Sequence, residues 1–169
     1  MRAYTLVLTF WLSIVGLALP IYSVEATDNF LTVQRVIDGD TLKLSNGEKV
    51  RLIGIDTPES SSNPKLYRDA KRTGQDVETI KGFGKRATEF TRQLVEGKQV
   101  RLEFDVQQRD KYGRLLAYVY LEDGTFINAE IIKEGYAQVM TVPPNVKYQD
   151  LFLKLQGEAM KNKRGLWKQ

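Results

Sequence analysis

Two dipeptides, Asp38-Gly39 and Asn46-Gly47, limit what this chain can fold into more than any other feature. Each favours a tight hairpin turn, and they separate three short runs rich in β-branched residues, 32–37, 41–44 and 50–55. Three strands joined by two such turns make an antiparallel meander. Residues 100–106 alternate Val100, Leu102, Phe104 and Val106 with Arg101, Glu103 and Asp105, which predicts a fourth, half-buried strand, and residues 115–121 supply a fifth. Between the third and fourth, residues 84–95 place Ala87, Phe90, Thr91 and Leu94 on one helical face. A short helix is expected from an N-cap at Asn128 to Glu134, ended by Gly135, and a third helix over 148–162 with Leu151, Leu155 and Ala159 facing inward. Five short strands with a helix after the third follow the order of a five-stranded OB-fold barrel. The expected class is therefore β-barrel plus α (α+β), with about three helices. A length of 169 residues, 42% of them hydrophobic, suits one such domain and is too short for two large ones.

The first residues carry a different pattern. No charge occurs from Ala3 to Val24, the densest apolar stretch runs from Leu6 to Leu19 behind Arg2, and Pro20 ends it. Val24-Glu25-Ala26 then places small residues at the −3 and −1 sites of a cleavable secretory signal. Residues 1–26 are read as that signal and 27–169 as a single mature domain, secreted or periplasmic, with no membrane attachment after cleavage. The alternative is an uncleaved N-terminal membrane anchor, for which the uncharged stretch is just long enough. Polar Thr5, Thr9, Ser13 and Ser23 and the helix-breaking Pro20 argue against it. With no cysteine there is neither a lipid-anchored residue nor a disulfide, so an exported domain of this sequence rests on its core, helped by a bound ion.

The absence of histidine and cysteine also removes Ser-His and Cys-His catalysis, zinc fingers and thiol redox chemistry. Catalysis must use carboxylates, Lys, Arg, Tyr, Ser or Thr, or a hard metal held by oxygen. A net charge of +4 mildly favours an anionic partner such as nucleic acid. Three polar clusters stand out. Asp38-Gly39-Asp40-Thr41 reads alone as a hairpin turn. Arg51 followed by Asp56-Thr57-Pro58-Glu59 reads as a strand end, a Thr cap and a helix-starting Pro. Asp110-Lys111-Tyr112-Gly113-Arg114 reads as a polar loop before a strand. Together they carry two carboxylates at neighbouring strand ends that can share a hard cation, two arginines that can clamp a phosphate, and a further carboxylate, Glu59. Such a set suits phosphodiester hydrolysis.

In order, spacing and identity, Ile37-Asp38-Gly39-Asp40-Thr41, Arg51-Leu52-Ile53-Gly54-Ile55-Asp56-Thr57-Pro58-Glu59 and Asp110-Lys111-Tyr112-Gly113-Arg114-Leu115-Leu116-Ala117-Tyr118 resemble the staphylococcal nuclease (thermonuclease) family, with similarity over about residues 32–167. The resemblance implies an OB-fold, calcium-dependent nuclease acting on DNA and RNA and leaving 3′-phosphate and 5′-hydroxyl ends. It implies calcium ligation by the Asp40 and Asp56 side chains and the Thr57 carbonyl, with Asp38 behind them holding a water of the ion. It makes Arg51 and Arg114 the catalytic arginines and Glu59 the general base, and it assigns Lys111 and Tyr112 to the terminal phosphate.

These roles are chemically coherent. Calcium prefers about six to eight oxygen ligands, so two carboxylates and a carbonyl leave room for waters and a phosphate oxygen. Guanidinium forks match the charge that builds on the equatorial phosphoryl oxygens. Without histidine, a carboxylate must activate water, and Glu59 is the one the metal does not need. Arg114 or water would protonate the leaving oxygen.

Two departures qualify the likeness. Where the family carries a pair of stacking tyrosines, Thr141 and Pro143 stand, with Tyr148 or Tyr136 as replacements to consider. The segment 60–81 is longer, and its residues 65–72, basic with one aromatic, read either as a lip tracking the phosphate backbone or as a solvated helical face. The rival function is a non-catalytic OB-fold module binding nucleic acid or protein. Such modules typically lose the carboxylates and arginines that are all present here. DNA and RNA are the expected partners of a monomer with no stable protein partner.

Overall fold

A computed structural model describes residues 29–168. The expected signal, residues 1–26, lies outside them. The meander is present as β1 (Leu31–Asp38), β2 (Thr41–Leu44) and β3 (Lys49–Leu52), paired antiparallel in sequence. β5 (Gln99–Glu103) and β6 (Leu115–Leu121) pair antiparallel, β6 lies parallel to β3, and β5 returns to β1, which closes a five-stranded OB-type barrel. A parallel pair needs a long crossover. Here α1 (Pro64–Thr73), α2 (Val77–Val95) and β5 fill the connection. Val33, Leu42, Leu44, Val50, Leu52, Val100 and Val119 are wholly or almost wholly buried in the core. Closure gives each of these five barrel strands a partner on both sides.

Four α-helices, not three, accompany the barrel among the described residues, the last two being α3 (Ile127–Lys133) and α4 (Gln149–Lys161). The additional one is α1, which takes the helical alternative for residues 65–72; its cap residue Asn63 accepts from Leu66 N at 2.9 Å with Pro64 at the first turn. Leu66 is its sole buried side chain, so apolar periodicity could not announce it. α2 starts seven residues before the predicted start, at Val77, capped by Asp76. Asn128 is not a cap. It sits fully buried inside α3, where Oδ1 accepts from Val119 N (3.0 Å) and Nδ2 donates to the Ile53 carbonyl (2.9 Å), tying the helix to the barrel. In α4 the inward residues are Phe152, Leu155 and Ala159, whereas Leu151 is exposed.

Two predicted strands also end early. The alternation 100–106 stops pairing at Glu103, because Asp105 turns to accept from Tyr118 Oη (3.1 Å) and Lys147 N (3.2 Å), leaving Phe104 and Val106 exposed. The run 50–55 breaks at Gly54, whose φ of +80° favours glycine and where a Cβ would lie 2.6 Å from the Phe152 ring. Beyond the break, β4 (Gly54–Asp56) leaves the barrel to pair with β7 (Gln138–Met140). That kink carries Asp56, Thr57 and Glu59 across the ends of β1 and β2. Among the described residues, no helix is long and apolar enough to cross a membrane.

Candidate active site

The β1–β2 turn and the segment after β4 meet at Asp40. Its side chain is buried, with Oδ2 accepting from Thr57 N (2.9 Å) and Thr57 Oγ1 (3.0 Å), and Oδ1 accepting from Thr41 Oγ1 (3.1 Å). Arg51, the cross-strand partner of Thr41, closes the cluster. Nη1 pairs with Asp40 Oδ1, while Nη2 donates to Asp56 Oδ1 (2.8 Å) and the Ile55 carbonyl (3.2 Å). Burial draws the Arg51 pKa below the usual arginine value, and Asp56 opposes it. Asp38 lies beside this group and accepts from Gly39 N (2.9 Å) and Thr88 Oγ1 (3.2 Å). Burial pushes its pKa up, and the nearby charge of Glu59 adds to the rise.

Glu59 is set by close packing behind it. Gly84 of α2 lies against its backbone so tightly that a Cβ would fall 2.3 Å from the Glu59 carbonyl. The carboxylate is gripped from α1, with Asn63 Nδ2 on Oε2 and Lys65 Nζ on Oε1 at 2.8 Å. Lys65 also donates to Asp56 Oδ1 (3.0 Å) and the Thr57 carbonyl (3.3 Å). Burial alone would lower its pKa, but Asp56 and Glu59 outweigh that and raise it. The first part of the supposed basic lip thus turns into the acidic cluster. Farther along, Arg72 pairs with Asp69 and Tyr67 is exposed.

Arg114 arrives from a self-contained loop. Asp110 Oδ2 accepts from Arg114 Nε (2.7 Å), and Oδ1 accepts from Tyr112 N (2.9 Å) and Arg114 N (3.0 Å). Burial would raise the Asp110 pKa, but the Arg114 side chain and the two backbone donors hold it below the usual range. Tyr112 is exposed, with the Lys111 ammonium 5.1 Å and the Arg114 guanidinium 5.6 Å from its ring centre. Arg51 and Arg114 face one groove of about 550 Å³, also lined by Lys111, Tyr112, Met140, Val142 and Asn145.

All nine residues singled out from the sequence therefore fall in two adjoining places. Asp38, Asp40, Arg51, Asp56, Thr57 and Glu59 form the carboxylate cluster, and Lys111, Tyr112 and Arg114 lie along the groove. The replacements for the tyrosine pair do not join them. Thr141 Oγ1 is buried with no hydrogen-bond partner, and Thr141 is absent from the groove wall, where Met140 and Val142 stand instead. Tyr136 stacks on Phe90 at 4.5 Å between ring centres, and Tyr148 bonds Glu103 and Tyr120 among the core aromatics. Asn63 and Thr88 are not singled out by the sequence, and Lys65 is placed there only in the lip or helical face, not on the carboxylates; the Asn63-Pro64 cap is the available signal for Asn63 and Lys65.

No group of three or more His, Cys, Asp or Glu side chains able to hold a metal occurs among the described residues. The oxygens that do gather are the carboxylates of Asp40 and Asp56 and the carbonyl of Thr57. They are hard donors suited to a hard cation, and the Lys65 ammonium already bridges two of them.

Comparison with known proteins gives the family. A family model described as Staphylococcal nuclease homologue matches residues 49–169. The chain is 42% identical over 138 residues to a thermonuclease of Staphylococcus intermedius, covering 80% of this chain and 74% of that one. It is 37% identical over 146 residues to a thermonuclease of Staphylococcus hyicus, covering 85% and 78%. It is 39% identical over 142 residues to Endonuclease YncB of Bacillus subtilis (strain 168), covering 81% and 61%.

Proposed function

The chain belongs to the staphylococcal nuclease family and is a nuclease, a hydrolase of phosphodiester bonds, and from that premise we propose an exported, calcium-dependent enzyme that cuts DNA and RNA to 3′-phosphate and 5′-hydroxyl ends. The observation that carries this reading is Arg51, whose one guanidinium touches both Asp40 and Asp56 and also faces the groove shared with Arg114. Asp40 and Asp56 would hold the ion through carboxylate oxygens and Thr57 through its carbonyl, with Asp38 behind them. Bound there, calcium supplies a Lewis acid for a phosphate oxygen.

The remaining work falls to the chain's own side chains. Glu59, its carboxylate oriented by Asn63 and Lys65, takes a proton from the attacking water. Arg51 and Arg114 donate to the phosphoryl oxygens as negative charge accumulates on them. Lys111 and the exposed Tyr112 hold the terminal phosphate at the groove wall. Export is supported by the uncharged, Pro-ended stretch before Ala26.

The test is cleavage of DNA and RNA by purified protein with calcium, with magnesium and with excess chelator, followed by analysis of the product ends. Calcium should support cleavage, chelation should abolish it, and magnesium, which demands stricter octahedral geometry, should substitute poorly. Full activity in chelator, or 5′-phosphate products, would overturn the reading.

A further inference from the structure

The acceptors that suit a metal are already engaged by a cation belonging to the chain. Lys65 Nζ lies 3.0 Å from Asp56 Oδ1, 3.3 Å from the Thr57 carbonyl and 2.8 Å from Glu59 Oε1. Two of these three atoms belong to the proposed metal ligands, and the third belongs to the proposed base. The ammonium is not there on a loose tether. It extends from the first turn of α1, which is fixed by the Asn63 cap and by Leu66, buried immediately beside it.

Two cations serve this cluster, and they are not equally committed. Arg51 comes from a barrel strand, its side chain is 14% exposed, and it also bonds Asp40 and the Ile55 carbonyl. Lys65 is 31% exposed and comes from a helix outside the barrel. It is the one that can leave. Calcium bonds oxygen at about 2.3–2.6 Å, so an ion on Asp56 and on the Thr57 carbonyl would sit within a few ångströms of the seated ammonium. Like charges a few ångströms apart at a partly buried site repel strongly. Calcium and the Lys65 ammonium therefore compete for this place.

We propose that Lys65 is a built-in competitor of the metal: its ammonium holds Asp56 and the Thr57 carbonyl until the divalent ion displaces it, so this lysine sets the metal affinity of the nuclease. The inference rests on the calcium reading above. If the ammonium is seated about nine-tenths of the time, it weakens the apparent calcium affinity about tenfold, because only the remaining fraction can accept the ion.

The experiment measures calcium binding by titration calorimetry without nucleic acid, on the wild-type protein, Lys65→Gln and Lys71→Gln, which removes an exposed charge from the same helix. Lys65→Gln should bind calcium about tenfold more tightly, with Lys71→Gln within about twofold of wild type. A second readout needs no variant. Amine-selective acetylation mapped by mass spectrometry should modify Lys65 slowly in chelator and faster in saturating calcium, with Lys71 unchanged. An unchanged or weaker calcium affinity in Lys65→Gln, or the same Lys65 labelling with and without calcium, would overturn the competition while leaving the calcium reading standing. Absence of calcium binding in all three proteins would overturn the calcium reading itself.

Discussion

Arg51 enters the groove from a barrel strand with its guanidinium engaged by Asp40, Asp56 and the Ile55 carbonyl, whereas Arg114 enters from a five-residue loop where Asp110 grips both its side chain and its backbone. The first arrangement spans the molecule. Asp40 belongs to the β1–β2 turn, Arg51 to β3, and Asp56 ends β4, so their bonds tie three parts of the fold together. The second is local, because every partner of Asp110 lies within four residues of it. In the carboxylate cluster the proposed catalytic role and stability rest on the same bonds. In the loop they are separable.

The sharpest break of that comparison comes from exchanging each arginine for lysine, which keeps the charge and loses the fork. Arg51→Lys should lower turnover by about two orders of magnitude or more, the scale of losing a preorganised transition-state donor, and should also lower the urea midpoint of unfolding. Arg114→Lys should slow turnover by more than about tenfold with an unchanged midpoint. Steady-state kinetics and urea melts on both variants decide it. Equal stability losses would mean that the loop is as structural as the cluster.

The aspartates extend the contrast to pH. Asp40→Asn removes a buried acceptor from Arg51 and Thr57 and should cost about 2 kcal/mol of stability, against no more than about 1 kcal/mol for Asp110→Asn. Asp38 and Asp110 should then respond oppositely to acid. The raised Asp38 pKa means that the folded state binds this proton more tightly than the unfolded state. Its contribution is present below the ordinary aspartate pKa and lost as pH rises through the raised value. The depressed Asp110 pKa gives stability that is present above the ordinary value and lost as pH falls through the lowered one. Asp38→Asn should therefore stabilise the protein at neutral pH and lose that gain on acidification. The deficit of Asp110→Asn should shrink on acidification. Urea melts across the acid range check both signs, and parallel curves for the two variants would refute the pairing.

The same division explains how much could be read in advance. The barrel is legible because hairpin dipeptides and alternation act over a few residues, and the nine candidate residues can be singled out because they sit in contiguous motifs. What stayed hidden depends on contacts distant in sequence. The break at Gly54 answers to the ring of Phe152. Asn128, which resembles a cap, instead serves Ile53 and Val119. Residues 65–72 read as a lip or as a solvated helical face, and neither reading turns Lys65 into the carboxylates; that follows from where Asn63-Pro64 starts α1, which a single buried leucine does not reveal.

The smallest effect concerns the groove wall. Replacing the tyrosine pair leaves Met140 and Val142, both exposed, beside Arg51 and Arg114, while Thr141 has its hydroxyl buried without a partner. A ring restored at the position that faces the groove should stack on a base, whereas a ring at Thr141 would start from a half-buried side chain that is not on the groove wall. In a Glu59→Gln background that leaves substrate uncut, Val142→Tyr should tighten a short oligonucleotide by about fivefold, near 1 kcal/mol, at the low end of base–aromatic stacking. Thr141→Tyr should lower stability and leave affinity unchanged. Stacking adds no phosphate contact, so the slope of log Kd against log salt should stay that of the parent while the whole line shifts. Tighter binding by Thr141→Tyr, or a changed slope in Val142→Tyr, would show that the loop carrying the cis Pro143-Pro144 bond meets nucleic acid with the opposite face from the one that lines the groove.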